Sequence, residues 1–157
     1  MSPQHGTRYW LVKTEPDVYS YQDLEADGET GWDGVRNYQA RNNLMAMRKD
    51  DLVLIYHSNA DPPGVVGVAR VSAEHEPDPT QFDPRSRYHD PASRPGAPRW
   101  YWVRLQPQQA LPQVSLERLR ELPELSASQL TAKGNRLSVI ELRETEYRAI
   151  IDESERT

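Results

Sequence analysis

The chain has 157 residues, a size typical of one domain, and its formal net charge is −5 at pH 7. It contains no cysteine, which excludes disulfides, thiolate zinc sites and a cysteine nucleophile. No run of about 18 apolar residues occurs, and the first ten residues lack the apolar core of a signal peptide. These features predict a soluble, intracellular (cytoplasmic) protein that does not associate with membranes.

The charge is unevenly distributed. Acidic residues concentrate towards the two ends of the chain, whereas residues 32–138 carry most of the arginines and a small net positive charge. Overall acidity disfavours tight non-specific binding to a duplex, because phosphate binding needs a basic field. Recognition of one base or a short single strand is compatible with this distribution.

The first half of the chain predicts two strands and two helices. The alternating segment "RYWLVKTEP" predicts a strand that ends at Pro16. Ser20 is the expected cap of a short helix in "SYQDLEAD". A second helix is expected from about Val35 to Met47. The segment "DDLVLIYHSN" then predicts a strongly buried strand.

The second half predicts three further strands and three helices. After a turn at Pro63-Gly64, "GVVGVARVSAE" is the expected antiparallel partner of the preceding strand. Further strands are expected in "RWYWVRLQP" and "RLSVIELR", and helices in "SLERLREL", "SASQLTAK" and "ETEYRAIIDES". This order favours an α+β fold with a small curved sheet or open barrel. We expect one domain over residues 8–152, a flexible segment 1–7 and a tail 153–157.

The segment from Glu76 to Arg99 contains six prolines and shows no hydrophobic periodicity. A loop of this length inside a compact domain is usually functional or disordered. Its aromatic residues Phe82 and Tyr88 favour a loop that packs against the body of the domain. One alternative function is therefore protein interaction through this loop.

No catalytic or metal-binding motif is present. His57 and Ser58 are adjacent on a predicted strand, so their side chains point to opposite faces and do not form a catalytic pair without a bulge. The histidines and aspartates match no compact ligand spacing, and no P-loop or Gly-x-Ser-x-Gly motif occurs. We therefore predict no metal and no cofactor. An enzyme that uses His57 as general base on a nucleotide or small heterocycle is the other alternative.

The segment "GWDGVRNYQARNNLMAM" concentrates side chains that stack on bases or hydrogen-bond to their edges. Trp32, at a glycine-bounded turn, is either a wall for a planar ring, worth roughly 1–3 kcal/mol per base, or a core side chain. Arg36 and Asn37 are expected in the first helical turn, where free backbone N–H groups point outward. A solvated helix face would carry the same pattern.

Seven segments in order carry a resemblance to a known family. They are "YWLVKTEP", "WDGVRNYQARN", "LIYHSN", "PGVVGVARV", "FDPRSRYHDP", "PRWYWV" and "RLSVIEL". Together they resemble the EVE domain family, which includes the thymocyte nuclear protein group, from about Tyr9 to Ile151. The resemblance implies a PUA-like fold related to the YTH domain, with a curved β-barrel or mixed sheet and peripheral short helices. It also implies a non-catalytic module that reads a modified or flipped base in DNA or RNA.

The resemblance also implies the residues of a base-binding pocket. Those carried over by motif are Lys13, Thr14, Trp32, Asp33, Arg36, Asn37, His57, Ser58, Arg136 and Ser138. The turn "NADPPGVVG" lacks the second aromatic wall of YTH domains, and Tyr88 or Trp100 are candidates to replace it. The alternative to a binding role is that the shared segments are needed only for folding.

The expected mechanism begins with a base that leaves its stack and lies against Trp32. Asn37, Ser58 or a backbone group then reads its polar edge, and Lys13 or Arg36 anchors a neighbouring phosphate. Replacing Trp32 with alanine is expected to abolish selective binding and to leave the fold mostly intact.

Overall fold

The structure, a computed structural model, describes residues 6–156. Its strands are β1 (Tyr9–Thr14), β2 (Thr30–Gly31), β3 (Leu52–His57), β4 (Gly64–Pro77), β5 (Tyr101–Ser115) and β6 (Val139–Leu142). Its α-helices are α1 (Tyr21–Asp27), α2 (Tyr38–Ala46), α3 (Leu116–Glu121) and α4 (Glu144–Glu155). Short 3₁₀ helices span Pro79–Phe82, Pro123–Leu125 and Gln129–Thr131.

The six strands form one mixed sheet in the order β2-β5-β4-β3-β1-β6. β1 and β3 are parallel neighbours, and every other adjacent pair is antiparallel. Register shifts at several points of the β4–β5 pair mark bulges, which increase twist and curvature. The α+β prediction is confirmed, with the sheet in its open form and β2 and β6 at the edges.

The core lies between the curved sheet and the helices packed against it. β3 reads as a nearly continuous apolar run because both of its faces are covered. Helices contribute fully buried side chains such as Leu24 and Leu44. Tyr21 lies flat against Gly67 of β4, and its hydroxyl donates to the Val68 carbonyl oxygen (2.9 Å).

Helix starts agree with the sequence where a capping side chain was recognised. Ser20 caps α1 through a complete capping box with Asp23. α2 begins three residues later than expected, because Asn37 adopts an extended conformation and its side chain accepts from the Ala40 N–H (2.9 Å). The prediction of an α-helix in "SASQLTAK" is wrong, because Ser128 caps only a short 3₁₀ helix there.

Two strands differ from the sequence prediction. β5 continues through Pro107 to Ser115, and Pro107 pairs with Ala69 of β4 beside a register shift, the kind of irregular position at which a strand tolerates proline. β2 was not predicted from the sequence, because two residues are too few to show an alternating pattern. At the C-terminus α4 includes residues 153–155 of the predicted tail, and the predicted flexible segment lies mostly outside the described residues.

Within residues 6–156, no helix is both long and apolar enough to cross a membrane. The same residues contain no group of three or more His, Cys, Asp or Glu side chains placed to hold a metal ion.

Replacing Gly67 with alanine should destabilise the fold. A Cβ atom at this position would lie 2.4 Å from the Tyr21 ring, which is itself buried and cannot withdraw. We expect a loss of about 1–3 kcal/mol in the free energy of unfolding, measured by urea denaturation. Gly96→Ala is the matched control, because a Cβ there meets nothing within 4 Å. Equal stability of the two variants would contradict this packing.

Candidate functional site

A pocket of about 780 Å³ opens where the parallel strands β1 and β3 end. Thr14 and His57 are register partners, so the residues at and after these strand ends meet at one edge of the sheet. The entry to β6 joins them, because Lys13 N–H donates to the Ser138 carbonyl oxygen (2.9 Å). One wall therefore comes from three adjacent strands.

The opposite wall is formed by the turn after β2 and by the long loop before β5. Trp32 is fixed by its backbone N–H, which donates to the Val103 carbonyl oxygen (2.8 Å). Gly34 has a φ of +80°, and the Tyr88 ring occupies the space where a Cβ would stand. The lining residues are Lys13, Thr14, Glu15, Val18, Tyr19, Thr30, Gly31, Trp32, Asp33, Gly34, Val35, Arg36, Ser58, Asn59, Arg87, Tyr88, Asn135, Arg136 and Ser138.

The buried carboxylate of Asp78 holds the turn and the loop together. It is 0% exposed and accepts from the Gly34 N–H (2.9 Å), from Arg36 Nη1 (3.1 Å) and from the Thr80 N–H (2.8 Å) and hydroxyl (2.6 Å). Each of these donors satisfies part of a charge that would be unstable if it were buried alone. The long loop is thus an ordered wall of the pocket.

Arg36 completes this connection and uses all of its donors to do so. Nε and Nη2 donate to the Tyr88 carbonyl oxygen (3.1 and 2.7 Å), and Nη2 also donates to the Thr80 hydroxyl (3.0 Å). Nη1 donates to Asp78 and to the Val35 carbonyl oxygen (3.0 Å). A guanidinium has five N–H groups, and all five are engaged here. The expectation that Arg36 anchors a phosphate is therefore corrected: it positions Tyr88.

Trp32 combines the two interpretations of its sequence position. It is 7% exposed and belongs to the hydrophobic core, yet it also lines the pocket. Tyr19 contacts its ring edge-to-face with centroids 6.1 Å apart. An alanine at position 32 would leave a core cavity, a change that typically costs about 3–5 kcal/mol. The expectation that Trp32→Ala spares the fold is corrected accordingly.

Within residues 6–156 the indole N–H of Trp32 has no hydrogen-bond partner, unlike those of the other three tryptophans. Trp10, Trp100 and Trp102 donate theirs to the carboxylates of Asp51 (2.9 Å), Asp90 (2.7 Å) and Glu76 (2.9 Å). Residues 6–156 contain no buried side-chain nitrogen or oxygen without a partner. The Trp32 N–H therefore reaches solvent, and the pocket is the opening that this side chain lines.

Three cationic side chains line the pocket without an acidic partner. Lys13, Arg87 and Arg136 form no salt bridge within the described part of the chain. Desolvation by burial lowers the pKa of Lys13, whose ammonium lies 5.5 Å from the Tyr56 ring centroid. These cations give the pocket mouth a positive charge on a chain that is acidic overall.

Polar groups of other types also face the pocket. Desolvation, followed by repulsion from Asp78, raises the pKa of the Asp33 carboxyl, while Arg36 opposes this shift. Desolvation also raises the pKa of Tyr19 to about 12, so this phenol stays neutral and donates to Asp27 (2.7 Å). The lining thus includes a carboxyl group and a neutral phenol whose hydroxyl is already engaged.

Nine of the twelve residues predicted for the site line the pocket, and three do not. Asn37 caps α2, so its side-chain oxygen is already engaged. His57 is nearly buried, and its Nε2 accepts the Tyr21 N–H (3.1 Å). Trp100 lies behind the pocket wall, stacked on Tyr38 with centroids 4.9 Å apart.

Several lining residues were missed by the sequence analysis. The most informative are Tyr19, Asn59 and Arg87. Arg87 is adjacent to the candidate Tyr88 in "FDPRSRYHDP", so it was within reach of the motif argument. Tyr19 gave no signal, because its contact with Trp32 depends on how the turn before α1 packs.

An open mixed sheet with short peripheral helices, and a pocket at the ends of its parallel strands, defines a PUA-like domain. The chain belongs to the EVE domain family, which matches residues 8–153. The resemblance inferred from the seven sequence segments is confirmed.

Relatives of known sequence include thymocyte nuclear protein 1 of Mus musculus. It is 41% identical over 111 residues, which are 64% of this chain and 49% of the mouse protein. An uncharacterised protein of Schizosaccharomyces pombe is 32% identical over 91% of this chain and 66% of its own length. The chain spans about half the length of the thymocyte nuclear proteins that it matches.

Two solved structures show the same fold. A crystal structure of a Pseudomonas putida protein has a TM-score of 0.90 and 41% identity, covering 92% of this chain and 97% of its own. The crystal structure of the human THYN1 protein in complex with 5-methylcytosine-containing DNA has a TM-score of 0.86 and 32% identity. That comparison covers 95% of this chain and 98% of the human chain.

The Asp78–Arg36 ion pair should contribute far more to stability than an exposed one. Asp78→Asn leaves the Arg36 charge without its buried partner, and we expect a loss of about 3–5 kcal/mol in the free energy of unfolding. The matched control is Glu141→Gln in the Arg8–Glu141 pair, whose side chains are 40% and 45% exposed; it should cost under about 1 kcal/mol. Equal losses in chemical denaturation would contradict the assignment.

His57 should make folding stability depend on pH. Burial lowers the pKa of His57, so the unfolded chain takes up a proton more readily than the folded one. This contribution to stability is complete above the ordinary histidine pKa of about 6.5 and is lost as pH falls through the lower folded-state value. Free energies of unfolding between pH 5 and 8 (roughly the range of histidine titration) should fall towards acid more steeply in the native chain than in His57→Gln. Parallel profiles would exclude this role.

Proposed function

We propose that this chain binds nucleic acid and holds one modified nucleobase in the pocket beside Trp32, without chemical turnover. The observation that carries the proposal is the indole N–H of Trp32, which has no hydrogen-bond partner within residues 6–156, on a side chain that lines the pocket together with three cations that form no salt bridge in that range. The human THYN1 protein, solved with 5-methylcytosine-containing DNA, supports the same class of ligand. We take a modified pyrimidine in DNA as the first candidate, with RNA as the alternative polymer.

The pocket suits a planar, polar-edged ring. Its volume of about 780 Å³ lies within the range of roughly 300–1,000 Å³ that is typical of small-ligand sites. Trp32 and Tyr88 present aromatic surface. We expect the Asp33 carboxylate, which lines the pocket, to accept from an exocyclic amine, the contact that acidic side chains make with cytosine. The Trp32 N–H is then available for a carbonyl or ring nitrogen on the same base.

The unpaired cations at the mouth suit the phosphates on either side of that base. Lys13, Arg87 and Arg136 replace Arg36 as the anchors in the mechanism. Such contacts do not depend on sequence, and each weakens as salt is added. A base enters the pocket only after leaving its stack, which costs a few kcal/mol in a duplex and least in a single strand. Single-stranded or locally opened substrates are therefore favoured.

The geometry does not favour the two alternatives raised by the sequence. A general base needs a free lone pair near the ligand, whereas His57 Nε2 accepts the Tyr21 N–H and does not line the pocket. The segment from 76 to 99 contributes Arg87 and Tyr88 to the pocket, and Asp78 ties it to the turn. Deleting it to test for protein partners would also remove the base site.

Trp32→Phe should weaken binding of the modified base while preserving the core. Phenylalanine keeps an aromatic ring in the interior, but it removes the indole N–H donor together with one of the two fused rings. Loss of one hydrogen bond corresponds to about 1 kcal/mol, or roughly five-fold in affinity. Fluorescence anisotropy with matched single strands containing 5-methylcytosine or cytosine, at one stated salt concentration, measures this change. Unaltered affinity and selectivity would remove Trp32 from the site.

Arg136→Gln should weaken all oligonucleotides to a similar extent. Removing one phosphate contact lowers the dependence of log affinity on log salt by about one unit and leaves base preference unchanged. Arg120→Gln is the matched control, because Arg120 is exposed, forms no salt bridge within residues 6–156 and does not line the pocket. Identical salt slopes in both variants would contradict a phosphate contact at Arg136.

A further inference from the structure

Three aromatic rings and three guanidinium groups form a continuous row that leads away from the pocket. In order, the members of this cation–aromatic row are Arg87, Tyr88, Arg36, Trp100, Tyr38 and Arg41. Successive distances are 5.3, 5.7, 5.5, 4.9 and 4.8 Å between ring centroids or from a ring centroid to a guanidinium carbon. The first three members line the pocket, and the last two lie on α2.

The far end of the row opens to solvent. Tyr38 is 52% exposed, and it and Val18 are the large hydrophobic residues that stay exposed within residues 6–156. Val18 lines the pocket itself. The pocket and the far end of the row thus each carry one exposed apolar side chain.

Trp100 is fixed by hydrogen bonds and supports the ring of Tyr38. The rings of Trp100 and Tyr38 are stacked at an interplanar angle of 18°. Trp100 is 7% exposed, its indole N–H donates to Asp90 (2.7 Å), and its backbone N–H donates to the Gln81 side chain (3.0 Å). A ring supported in this way loses little conformational freedom when another ring stacks beside it.

Charge along the row favours a phosphodiester strand. The loop carries four arginines that form no salt bridge among the described residues, namely Arg85, Arg87, Arg94 and Arg99. Arg41 also lacks an acidic partner in this range, and its Nη1 donates to the Arg99 carbonyl oxygen (2.9 Å). Aromatic surface interleaved with unpaired cations is the pattern by which proteins track single-stranded nucleic acid.

We propose that Tyr38 and Arg41 form a second stacking position, which receives the base of a nucleotide that flanks the one held in the pocket. The inference rests on the proposed function and adds a subsite to it. Stacking on an aromatic ring tolerates any base, because every base has a π-face. The subsite therefore raises affinity for a strand without adding sequence preference, while the pocket selects the modified base.

Two trinucleotide probes test this subsite. Both carry a central 5-methylcytosine; one has bases on either side, and the other has abasic sites there. The native chain should bind the first about ten-fold more tightly, since one base–aromatic stack is worth roughly 1–3 kcal/mol. Tyr38→Ala should bind both probes equally, at the affinity that the native chain shows for the abasic probe. Tyr38→Phe, which keeps the ring, should retain the difference.

The outcomes separate this inference from the proposed function. A ten-fold preference that survives in Tyr38→Ala overturns the Tyr38 subsite and leaves the pocket intact. Equal binding of both probes by the native chain does the same. Failure of the native chain to bind either probe overturns the proposed function and the subsite together. Far-ultraviolet circular dichroism of each variant checks that the fold is unchanged.

Discussion

The site depends on one buried ion pair. Asp78 and Arg36 lie 42 residues apart in sequence, and their contact fixes two otherwise independent segments to each other. The carboxylate orients the turn that carries Trp32 through the Gly34 N–H, and the guanidinium orients Tyr88 through its carbonyl oxygen. A buried charge tolerates little displacement of its partners, because every lost hydrogen bond leaves an unsatisfied group. The two aromatic walls are therefore set by electrostatics as much as by packing.

The hydrogen bonds within the protein also determine which donor groups are available to a ligand. Three indole N–H groups and the five N–H groups of Arg36 are satisfied within the protein, whereas the Trp32 indole and three rim cations are not. Two carboxylates, Glu15 and Asp33, also line the pocket, but Lys13, Arg87 and Arg136 outnumber them. A protein with a net charge of −5 thus presents a locally basic opening.

The sequence predicted the scaffold of the site better than the roles of its side chains. Alternation identified β1 and β3, and their parallel pairing brings Lys13 and Ser58 to one edge. The family resemblance then named the turn at Trp32. Periodicity could not indicate that the N–H groups of Arg36 are engaged by residues 78–88, because those partners are distant in sequence. Asn37 and His57 lie outside the pocket lining because each accepts a backbone N–H, from the nearby Ala40 and from the distant Tyr21 respectively.

Trp32 shows why residue type alone does not decide between core and site. Its ring packs in the hydrophobic cluster while its polar edge remains available, a division that amphipathic aromatics permit. The sequence offered core and site as alternatives, and the structure places this side chain both in the core cluster and at the pocket lining. The row from Arg87 to Arg41 was equally hidden, because its members come from the turn before α2, from α2 and from the loop before β5.

Indole resonances provide the most direct measurement of the central claim. The four tryptophan N–H signals in a ¹H–¹⁵N spectrum can be followed during titration with a single strand that contains 5-methylcytosine, and Trp32→Phe assigns the relevant peak. The account predicts that the Trp32 signal exchanges with water before ligand is added and shifts most on binding, while the Trp10 signal, bonded to buried Asp51, stays in place. A Trp32 signal that is protected from exchange and unmoved at saturation would contradict it.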